Sequence, residues 1–364
     1  MFPRSVVLAP AWLTIATIAG LGLASSNHAG AAVPMSPTPL GLASSNHAGA
    51  AVPASPTPAP HFMATRGGAP ARVAASSGLL TYHGGVAGIA VQATPKVYIV
   101  FYGKQWGVAS TVGSDLNFTG DPQPMAPRVQ DFLRGLYGSE NWSTATTQFC
   151  DGSGIAVGRT QCGTSGRHVK HPTITPLAGV WYDNGANAVP APSEATIKGS
   201  AIRAARHFGN TTAASNASVH YVIVSPTGIV PPGFGSQYCA YHSSGASSVG
   251  TIAYTNLPYI PDAGKGCGQN LINSGTAGLL DGVTIVEGHE YAETLTDLLP
   301  PTGWVDAQHA ENGDKCAWIT SGAGKGVNAT LPTGRFAVQS LWSNNAHNGT
   351  GGCVTFYNSA TSQG

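Results

Sequence analysis

One stretch of the sequence brings together side chains that can do chemistry, Gly288-His289-Glu290-Tyr291-Ala292-Glu293. His289 and Glu293 are one helical turn apart, so on a helix both project from the same face. Glu290 sits beside that face. This is the spacing of the His-Glu-x-x-His zinc helix, with glutamate in place of the second histidine. Zinc takes imidazole nitrogen and carboxylate oxygen alike, and a catalytic zinc needs a third protein ligand and an open position. Glu290 is then expected to be the general base toward a water that the metal has acidified. The chemistry implied is zinc-dependent hydrolysis, with a protein or peptide as the substrate.

The third ligand is expected a short way downstream, where Leu299-Pro300-Pro301-Thr302 turns the chain back. Glu311 and Asp306 both suit a helix, a turn and a return, and Glu311 is preferred. Asp314 is expected behind the ligands as their partner, or with Asp306 as half of a Ca2+ site. His309 is a weaker candidate. The surroundings are unusually acidic. Eight of the chain's 16 acidic residues fall in the 34 residues from Asp281 to Asp314, and no Lys or Arg lies between Lys265 and Lys315. Glu287/Glu290, Glu290/Glu293 and Glu293/Asp297 are like-charge neighbours on a helix, each costing roughly 0.2–0.5 kcal/mol. A bound zinc would offset that cost. So would a structural calcium, or a face left in water.

The elements that position these residues belong to a chain poor in charge. Of its 364 residues 9% are charged and the net charge is +1, where roughly a quarter charged is usual. No basic stripe exists to neutralise phosphates, which excludes nucleic acid as a partner. Gly (48) and Pro (26) disfavour helical bundles, while 42% hydrophobic residues suffice for a core. Arg4 followed by the uncharged run Ser5 to Ala24 predicts a signal peptide over residues 1–31, hence a secreted protein with no membrane association after cleavage. A membrane anchor is the alternative reading, disfavoured by Pro10 in a marginally long run. Residues 21–39 and 40–58 are the same 19-residue unit apart from Met35 against Ala54. Their composition, continued to residue 77, suggests a Pro/Ser/Ala-rich linker or propeptide over 32–77, which should carry no function. A single domain is expected over 78–364. Six cysteines in an exported chain predict three disulfides, and nearest neighbours are the expected pairs: Cys150 with Cys162, Cys239 with Cys267, Cys316 with Cys353.

Within the domain, Lys96 to Tyr102, His220 to Val224 and Thr251 to Tyr254 read as strands. Val129, Phe132, Leu133 and Leu136 have helical spacing. Glu194 to Phe208 reads as a helix with Ser193 as its N-cap. Leu279 to Leu298 is the helix that carries the chemistry, and the run Ser243 to Ser248 reads as a loop. The fold class is α/β, a mixed sheet with helices and a zincin-like active-site helix. A serine hydrolase is disfavoured by the lack of a Gly-x-Ser-x-Gly elbow. A glycosidase would use Glu290 with a second carboxylate and Trp304 or Trp318 as a sugar platform. Tyr238 or His242 could stabilise an oxyanion. The other histidines read as structural or exposed.

The chain resembles the phosphate-induced protein 1 (EXORDIUM-like) family in a bacterial-type form. The resemblance covers roughly 95–357. It rests on Val97 to Gly103, Tyr221 to Val224, Leu280-Asp281-Gly282, the run from His289 to Trp318, and Val338 to Asn344 with Cys353. It implies secretion and a shared fold. Plant members of that family are extracellular cell-wall proteins without established catalysis, and their matching segment lacks His-Glu-x-x-Glu. The resemblance therefore implies a second function, a non-catalytic cell-wall binding protein with a structural metal. The peptidase expectation rests on the zincin-like motif alone.

Overall fold

Residues 59–67 and 78–358 are described by the computed structural model of this chain. All of them belong to one of the two units into which the chain divides, Pro53–Gly364. The expected signal peptide, and most of the expected linker, lie outside the described residues.

Six strands form the central sheet: β1 (His61–Ala64), β2 (Val97–Tyr102), β3 (Leu177–Asp183), β4 (His220–Val224), β5 (Tyr238–Ser247) and β6 (Gly250–Leu257). Their order across the sheet is β1-β5-β6-β4-β2-β3. β6, β4, β2 and β3 run parallel to one another. β5 and then β1 add antiparallel at one edge. The fold is thus mixed α/β, as expected. β2 and β4 are buried along their whole length, which is why they read as unbroken β-branched and aromatic runs.

Three α-helices of eight residues or more pack with this sheet among the described residues: α1 (Met125–Arg134), α2 (Glu194–His207) and α3 (Asp281–Thr296). α1 buries Val129, Phe132 and Leu133, the residues whose spacing announced it. Ser193 caps α2, its side chain accepting a hydrogen bond from the Thr196 N–H. α3 is buried at every position. Such a helix must approach its neighbours closely, and two glycines allow it. A Cβ on Gly282 would lie 2.0 Å from the Cys267 carbonyl oxygen, and one on Gly288 3.0 Å from the Trp142 ring. At its start, the Asp281 carboxylate accepts from the Ile272 and Asn273 N–H groups and sits where the helix dipole favours negative charge.

Two segments depart from the sequence reading. Ser243 to Ser247 is strand, the second half of β5, and not a loop. Its serines and glycine have low strand propensity, and cross-strand pairing with Gly250 to Tyr254 overrides it. The stretch expected to be linker contains β1, whose Met63 is fully buried. The three disulfides pair as expected, with Cα–Cα distances of 5.9, 5.5 and 5.6 Å.

Candidate metal centre

α3 sets His289, Glu290 and Glu293 inside the protein, not on a solvated face. All three are fully buried, as are Glu287 and Glu311. The alternative of an acidic surface in water is therefore overturned. Three overlapping groups of donors converge here: His289 with Glu293 and Asp314, His61 with Glu293 and Glu311, and His242 with Glu290 and Glu293, the donor atoms of each group lying within 4.8 Å of one another. Glu293 belongs to all three.

The first group contains both residues of the His-Glu-x-x-Glu turn. His289 Nε2 lies 3.0 Å from Glu293 Oε1 and 3.6 Å from Asp314 Oδ1. Donors about 2.1 Å from a tetrahedral zinc are about 3.4 Å from each other, so this spacing fits. The His289 ring is aimed from behind. Its Nδ1–H donates to Gln339 Oε1 at 3.2 Å, and Gln339 Nε2 donates to the Gly313 carbonyl at 2.7 Å. That leaves the Nε2 lone pair facing the carboxylates. Glu293 Oε1 also accepts from the Asp314 N–H at 2.9 Å. The loop bearing Asp314 approaches this closely because residue 313 is glycine. A Cβ there would meet His289 Nδ1 at 2.8 Å and Glu293 Oε1 at 2.9 Å.

The carboxylate beside His289 and Glu293 is therefore that of Asp314. Glu311 lies one step away, its Oε1 accepting from His242 Nε2 at 3.2 Å and facing His61 Nδ1 at 3.4 Å. Asp306 does not join the group. It is paired with Lys315 Nζ at 2.8 Å, and its Oδ1 accepts from the Gln308 and Ala310 N–H groups. Among the described residues, Asp306 belongs to none of the three-donor groups that include Asp314. His309 is exposed and faces the ring of His83. Trp304 is fully buried with its Nε1–H on the Cys150 carbonyl, and Trp318 donates to the Ala64 carbonyl. Trp304 therefore presents no sugar platform. Tyr238 packs against Phe62.

Several buried atoms of the cluster have no hydrogen-bond partner: both Glu290 oxygens, Glu293 Oε2 and Glu311 Oε2. Such atoms cost about 1–3 kcal/mol each, more when charged. The electrostatics reflect the crowding. Burial, reinforced by Glu293, Glu287 and Asp314, holds the Glu290 carboxyl well above its ordinary pKa. Burial and the neighbouring carboxylates do the same to Glu311. Burial opposes charge on His289, but Glu293 and Asp314 outweigh it and raise its pKa. Burial likewise disfavours charge on Asp314, but His61 and His289 more than compensate and lower its pKa. Without a cation, protons hold the cluster together.

Sequence reasoning missed His61 and Gln339, and named His242 only as an oxyanion stabiliser, not as a member of the donor cluster. Nothing local marks them, since they lie 228, 47 and 50 residues from His289 in the sequence and meet it only through the fold. Compared with protein-family models, curated proteins and solved structures, the chain matches none.

Proposed function

We propose that this protein is a secreted, zinc-dependent peptidase whose centre is His289, Glu293 and Asp314, with Glu290 as its general base. The observation that carries the reading is the convergence of those three donors beside a buried carboxylate whose two oxygens have no partner. The donor set is imidazole and carboxylate, which suits zinc over calcium, since calcium takes oxygen ligands only. When bound, zinc would polarise a substrate carbonyl and acidify a water. Glu290 would accept the proton that an attacking water gives up as its oxygen bonds to the carbonyl carbon, and would return that proton to the leaving amine as the C–N bond breaks. A buried carboxylate beside the metal donors is placed for both steps. Gln339 keeps the His289 tautomer, and the Gly313 backbone keeps Asp314 in place.

Three disulfides fit an oxidising compartment, and no described helix is long and apolar enough to cross a membrane. The proposal includes affiliation with the EXORDIUM-like family as a member that carries the His-Glu-x-x-Glu helix. A second reading, a non-catalytic binding protein with a structural metal, is favoured by one feature. His61 closes the centre from outside, and structural zinc sites are closed. Casein hydrolysis by zinc-loaded wild type and Glu290→Gln separates the two. The peptidase reading expects a loss of about a hundredfold to ten-thousandfold in the variant with zinc still bound. Equal rates in wild type and variant would leave the structural metal.

A further inference from the structure

The donors of the centre are sealed in this structure. Glu290, Glu293, His289 and Glu311 are fully buried. Only the side chains of His61 and Asp314 reach solvent, at 19% and 12% exposure, and His61 Nε2 lies 2.5 Å from Asp314 Oδ2. The way in from solvent therefore runs past His61. None of four clefts on the surface is lined by a donor of the centre. A substrate can reach Glu290 only if something moves.

His61 is carried by β1, a short strand at the edge of the sheet. β1 is four residues long and, among the described residues, pairs on one side only, antiparallel to β5. His61 is opposite His242, so both rings stand on the same face, 5.8 Å apart, and both reach Glu311. Met63, two residues on, shares that face and is buried. Phe62 points the other way, 45% exposed, against the rings of Tyr238 and Tyr241. An extended peptide added antiparallel to β5 would use the same backbone groups, with alternate side chains facing the centre. That is the geometry of strand addition to a sheet edge.

We infer that β1 is an intramolecular strap: it occupies the edge of β5 on which an extended peptide substrate docks, and His61 plugs the centre until the strand is displaced. The inference rests on the peptidase reading. It also revises the expectation that the stretch before residue 78 carries no function. The substrate class it names is an unfolded or extended polypeptide segment, because a folded chain cannot supply a free strand.

The test uses the full-length chain at saturating zinc, as wild type, His61→Ala and Phe62→Ala. The latter loosens the strap from its exposed face without touching a donor. Zinc affinity is measured by competition with a chelator, and hydrolysis is measured on casein. The strap predicts faster hydrolysis by both variants than by wild type. It predicts about tenfold to a hundredfold weaker zinc in His61→Ala alone, since His61 holds a ligand from behind. Wild type as fast as both variants, with zinc affinity unchanged in His61→Ala, would overturn the strap and leave the peptidase reading standing. Weaker zinc in His61→Ala with no hydrolysis by any of the three would make β1 a permanent wall of a structural site. The peptidase reading would then fall, and the latency with it.

Discussion

Glu293 is the residue on which the centre turns, since it shares a group with each of the three histidines His61, His242 and His289. Its relation to His289 is visible in the sequence, because a helix places residues four apart on one face. The choice of Asp314 over Glu311 is not visible. Those two differ by a short step in a loop, and the loop's path is set by Gly313 against α3 and by the buried pair of Lys315 with Asp306. His220 makes a separate prediction. It is buried in β4 with Nε2 2.6 Å from Thr255 Oγ1, and burial pushes its pKa from 6.5 down to about 3. Above pH 6.5 the folded and unfolded chains both hold it neutral. Below that, the unfolded chain takes up a proton that the folded chain refuses until about pH 3, so stability falls as pH falls through this window. Urea unfolding of wild type and His220→Gln across that range should show a steeper acid loss in wild type, by a few kcal/mol. Parallel pH profiles would show that His220 is not the source.

At the scale of elements, the centre is a helix and a loop held against each other. α3 brings His289, Glu290 and Glu293, and the loop brings Glu311 and Asp314. The Cys316–Cys353 disulfide ties that loop, two residues past Asp314, to the strand at Gly352–Val354. Replacing both cysteines by serine should cost about 2–5 kcal/mol in urea unfolding. It should also weaken zinc binding, because the loop gains freedom that the metal must then remove. Unchanged zinc affinity would mean that Gly313, Gln339 and the Lys315 pair hold the loop without it. α1, α2, β2 and β4 were legible in the sequence, because their apolar spacing, cap or continuous β-branched run is local. β5 was legible only in part, because its second half is serine and glycine and is made a strand by β6. β1 was hidden by its Pro- and Ala-rich neighbours, and only its partner β5 makes it a strand.

For the whole molecule, the question is where so few charges go. Of the eight acidic residues from Asp281 to Asp314, Asp281 holds backbone N–H groups and Asp306 holds Lys315. Asp297 accepts from the N–H groups of Thr302 and Gly303, and Glu287 is fully buried in α3. Glu290, Glu293, Glu311 and Asp314 are gathered with three histidines inside an otherwise apolar, disulfide-bonded mixed α/β fold. Burying such a set without a cation works against folding, so a cation that binds the folded state alone should stabilise it. The sequence shows the concentration of acids. Only the fold shows that four of them meet histidines from β1, β5 and α3. The most direct test is anomalous diffraction at the zinc edge from crystals of the full-length protein grown with zinc. The account predicts one strong peak about 2.0–2.2 Å from His289 Nε2, a Glu293 oxygen and an Asp314 oxygen. No peak in the cluster, or a peak held by other residues, would contradict it.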